Sequence, residues 1–83
     1  MKWNPMAMLP LVSKLGEYLK EGFEHYATLH ASGQKLSPDM LAVFMSMKMA
    51  GWNPQMNGKN LLDDDTRQAA ARFLAGVAIN MAK

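Results

Sequence analysis

The chain has 83 residues, no cysteine, two histidines and a formal net charge of +2. That length holds one small domain, the missing cysteines exclude a disulfide framework, and a structural zinc site lacks its usual thiolate and imidazole ligands. The basic side chains, from Lys2 to Lys83, are scattered and form no run, so the clustered footprint of a nucleic-acid binder is missing and no direct nucleic-acid partner is expected.

Near the N-terminus an apolar segment spans 5–12. Only Lys2 precedes it, Pro10 interrupts it and no small-residue cleavage site follows, which argues against a signal peptide. No apolar run approaches the roughly 20 residues that span a bilayer. The expectation is a soluble, cytoplasmic protein with no transmembrane segment. Asn4-Pro5 is a helix-start dipeptide, Asn as the cap and Pro in the first turn. From there one long helix is expected over about 5–32. Met8, Val12, Leu15, Leu19, Gly22, Tyr26 and Leu29 alternate spacings of four and three, a heptad-like stripe. Leu11, Tyr18, Phe23 and His30 widen it. Pro10 leaves two forms open: a kinked helix, or one that begins at Leu9-Pro10. Glu21 and His25 are four apart and form a candidate surface pair, with His25 facing solvent.

Ala31-Ser32-Gly33-Gln34 is an exit turn with Gly33 as its left-handed residue. Ser37, Pro38 and Asp39 then open a second helix, expected over 38–50 and stopped by Gly51. Its centre, Met40 to Met47, has Ser46 as its only polar residue. A helix apolar nearly all round must be covered nearly all round. Asp39, Ala42, Ser46 and Ala50 form one narrow seam of small or polar residues, either a solvent strip or the place where another helix comes closest. Four of the nine methionines, Met40, Met45, Met47 and Met49, lie here. Methionine fills core gaps and also suits adaptable binding surfaces; most of these are expected in the core.

The stretch 51–60 is expected to be a loop from its Gly, Pro and Asn content. Trp52-Asn53-Pro54 repeats Trp3-Asn4-Pro5, and each Trp is expected to anchor on the core. A third helix is expected over 63–82. Its proposed apolar face is Leu62, Thr66, Ala69, Ala70, Phe73, Leu74, Val77, Ala78 and Met81, rich enough in alanine for a neighbour to approach closely. Ile79 falls outside that face, and Gly76 suggests a close crossing or slight bend.

Few of these residues suggest chemistry. Asp63, Asp64 and Asp65 are consecutive, so their side chains diverge by about 100° on a helix, and the spacing of a calcium loop is missing. They suit the positive end of the helix dipole. His25 and His30 are five apart and do not form the i, i+4 pair of a helical metal site. No serine lies in a nucleophile elbow, and Gly58-Lys59-Asn60 lacks the pattern of a phosphate loop. A helix-turn-helix reading fails on the long connection and on the three carboxylates that would meet phosphate.

The expected fold is therefore all-α, a small three-helix domain over 1–83 with a long first helix and a buried apolar middle helix. No catalytic residue, cofactor or metal ligand is expected. The expected function is non-enzymatic: protein–protein contact, with the chain itself as partner, as a self-associating structural or accessory subunit such as a phage encodes. Trp3, Met6, Met8, Leu9 and Leu11, together with Met40, Phe44, Met47 and Trp52, are the candidate interaction residues. One alternative is a monomeric regulator that binds and inhibits a larger enzyme or nucleic-acid complex. Another is a peripheral membrane protein inserting its apolar N-terminal segment.

Overall fold

The computed structural model describes residues 5–56 and 58–83. Helix α1 spans Pro5–Ala31, α2 spans Pro38–Met49 and α3 spans Asp64–Ala82. The fold is all-α, a small three-helix domain, with one short two-stranded ladder between α2 and α3.

Local chemistry sets the helix ends. α1 runs without a break through Pro10, so the helix does not begin at Leu9-Pro10. At its C-terminus Gly33 adopts φ +86°. There the Gln34 amide donates to the Leu29 carbonyl at 3.0 Å and the Gly33 amide to His30 at 3.1 Å, the paired bonds of a Schellman turn. Ser37 accepts from the Met40 amide at 3.1 Å, with Pro38 behind it, and opens α2. Asp63 accepts from the Thr66 amide at 2.7 Å and caps α3.

A helix of the length of α1 is about 40 Å long at roughly 1.5 Å per residue. The molecule measures 46 × 22 × 16 Å, so α1 sets its long dimension. α3 packs against both other helices. Between them the core holds Leu41, Met45 and Met49 of α2, Ala71, Leu74, Ala75, Ala78 and Ile79 of α3, and Tyr18 of α1. Leu15, Leu19, Phe23 and Tyr26 of α1 pack against this centre. α1 and α2 come very close at one point: a Cβ added to Gly22 would overlap the Met45 sulfur.

Several expectations are corrected. The buried face of α3 is turned from the expected one: Ala71, Ala75 and Ile79 point inward, while Phe73, Met81, Thr66 and Ala69 are exposed. Both faces keep helical spacing. The observed one lets two neighbours approach over alanine methyls, whereas Phe73 in the same place would hold them apart. Gly76 marks no crossing, because a Cβ there would meet nothing within 4 Å. The expected loop at 51–60 contains an antiparallel ladder that pairs Gln55 with Asn60 and Met56 with Lys59. Asn57-Gly58 between the strands is a hairpin dipeptide in sequence, and Gly58 takes φ +79°.

Candidate interaction surface

α3 begins at a side-chain knot that also fixes the hairpin. Arg67 is buried although charged, 8% exposed. Its Nη1 donates to Asp64 Oδ1 at 2.6 Å, its Nη2 to Asn53 Oδ1 at 2.7 Å and its Nε to the Trp52 carbonyl at 3.2 Å. A planar guanidinium can address three acceptors in different directions at once. The acidic triplet thus divides its tasks: Asp63 caps, Asp64 meets Arg67, and Asp65 stays exposed in the first turn. The Asp63 carboxyl is held below its ordinary value of 3.8, first by the Thr66 hydroxyl and then by the Thr66 amide. Trp52, secured at its carbonyl, lays its ring on Tyr18 with centroids 5.4 Å apart. It is the core anchor expected of it.

α2 is buried on one side only. Leu41, Met45 and Met49 are fully covered, while Met40, Val43 and Met47 are 57%, 59% and 74% exposed. The four methionines of α2 therefore divide evenly between core and surface. The exposed three are spaced i, i+3, i+7 and make one ridge along the helix. Beside the ridge a groove of about 450 Å³ runs between α2 and α3. Val43 and Met47 form its lip, Ala42, Ser46 and Ala50 line α2's side of it, and Gln68 and Arg72 face them from α3. Asp39 completes the lining. The expected seam of small residues is thus the wall of an open groove. Neither Asp39 nor Arg72 forms an ion pair among the described residues.

The other candidate residues are dispersed. Trp3 lies outside the described residues. Met6 and Leu9 are exposed on the first turns of α1, along with Val12, and Met8 is half-buried. Leu11 does not join them: with Pro10, Trp52, Pro54, Gln55 and Leu61 it lines a cleft of about 270 Å³ between α1 and the hairpin. Phe44 is half-buried and packs against the core. His25 stacks on its ring at 3.8 Å with the planes 2° apart, and Lys48 Nζ lies 5.5 Å from its centroid. His25 is accordingly half-buried and not solvent-facing as expected. Its partner is Phe44, and the charged pairs on α1 are Lys14 with Glu17 and Lys20 with Glu24.

Only Met40 and Met47 of the nine candidates share the α2 surface. Val43, Gln68 and Arg72 were not among the expected residues. The spacing of Met40, Val43 and Met47 was a usable signal for Val43. Nothing local marked Gln68 and Arg72, which join the site through the packing of α3 on α2. Among the described residues no group of His, Asp and Glu is arranged to hold a metal ion, and no helix is long and apolar enough to cross a membrane. No protein-family model matches the chain, and comparison with curated proteins and with solved structures found no match.

Proposed function

We propose that this protein is a non-enzymatic helical subunit that acts by protein–protein contact, with further copies of itself as the partner, and that the exposed face of α2 makes the contact. One observation carries the reading: Met40, Val43 and Met47 stay exposed along the middle helix after α1 and α3 have packed. A contiguous apolar patch flanked by polar groups is the usual mark of an interaction site. Chain size adds support. A domain this small buries only about two-thirds of its unfolded surface, and association is one of the few staples open to a cysteine-free chain.

Light scattering on a size-exclusion column tests the reading. The wild-type chain is expected to run above its monomer mass of 9.2 kDa at high micromolar concentration and to approach it on dilution. A strict monomer throughout that range would sink self-association and turn attention to a different protein partner.

A further inference from the structure

We draw no further inference here: the strongest candidate, the exposed ridge of Met40, Val43 and Met47 on α2 with the groove beside it between α2 and α3, is the surface already described, and nothing in the structure shows what covers it.

Discussion

Gly16, Gly22 and Gly76 all lie inside helices, where glycine costs up to about 1 kcal/mol relative to alanine. Their surroundings separate them. A Cβ at Gly16 or Gly76 would meet nothing within 4 Å, whereas one at Gly22 would overlap the side chain of Met45, itself fully buried. Gly16→Ala and Gly76→Ala are each expected to stabilise the fold by about 0.5–1 kcal/mol, a rise of several degrees in melting temperature for a chain of this size. Gly22→Ala gains the same helical preference but forces Met45 to move within a filled core, at a cost of about 1–3 kcal/mol. Thermal unfolding of the three variants should therefore rank Gly22→Ala below the other two. Equal melting temperatures for all three would mean that Met45 has room to yield.

At the scale of elements, the Arg67 knot joins α3 to the segment that follows α2. Replacing Arg67 with Met keeps much of the stem's apolar contact but leaves the Trp52 carbonyl and the Asn53 amide oxygen without their donor. The expected loss is about 1–3 kcal/mol, seen as a lower denaturation midpoint and faster amide exchange in the hairpin. Arg67→Lys should recover little, because one ammonium cannot reach three separated acceptors. A lysine variant as stable as the wild type would reduce the knot to its charge alone. The Asp64 carboxylate is largely exposed, so water can take over its solvation when Arg67 is removed, and the ion pair itself contributes little of the loss.

Across the whole molecule, burial puts the described methionines at two extremes, with Met8 half-buried between them. Met45 and Met49 are fully covered, while Met6, Met40, Met47 and Met81 are more than half exposed. Limited peroxide treatment should oxidise the exposed set first and spare the buried pair, as peptide mapping by mass spectrometry would record. Sulfoxides at Met40 and Met47 turn the ridge polar, so self-association should weaken while helical content is unchanged. Early oxidation of Met45 would show instead that the core opens readily.

Much of this architecture was present in local sequence. Ser37-Pro38-Asp39, Asp63 with Thr66, and Gly33 set helix ends through bonds that reach no more than five residues along the chain, so adjacent residues determine them. The length of α1 and the alanine content of α3 were legible for the same reason. Periodicity could not choose between two apolar faces of α3, because several apolar side chains satisfied either one. The choice came from tertiary packing: α3 meets both other helices with Ala71, Ala75 and Ile79 buried beside Leu74 and Ala78, which belong to either face. His25 likewise found Phe44, and Arg67 found Asn53 and Trp52, through distances that no helical spacing contains. The candidate surface divides in the same way. Met40, Val43 and Met47 lie on one helix and could be lined up from sequence alone. Their exposure, and the groove completed by Gln68 and Arg72, exist because two helices cover only one side of the third.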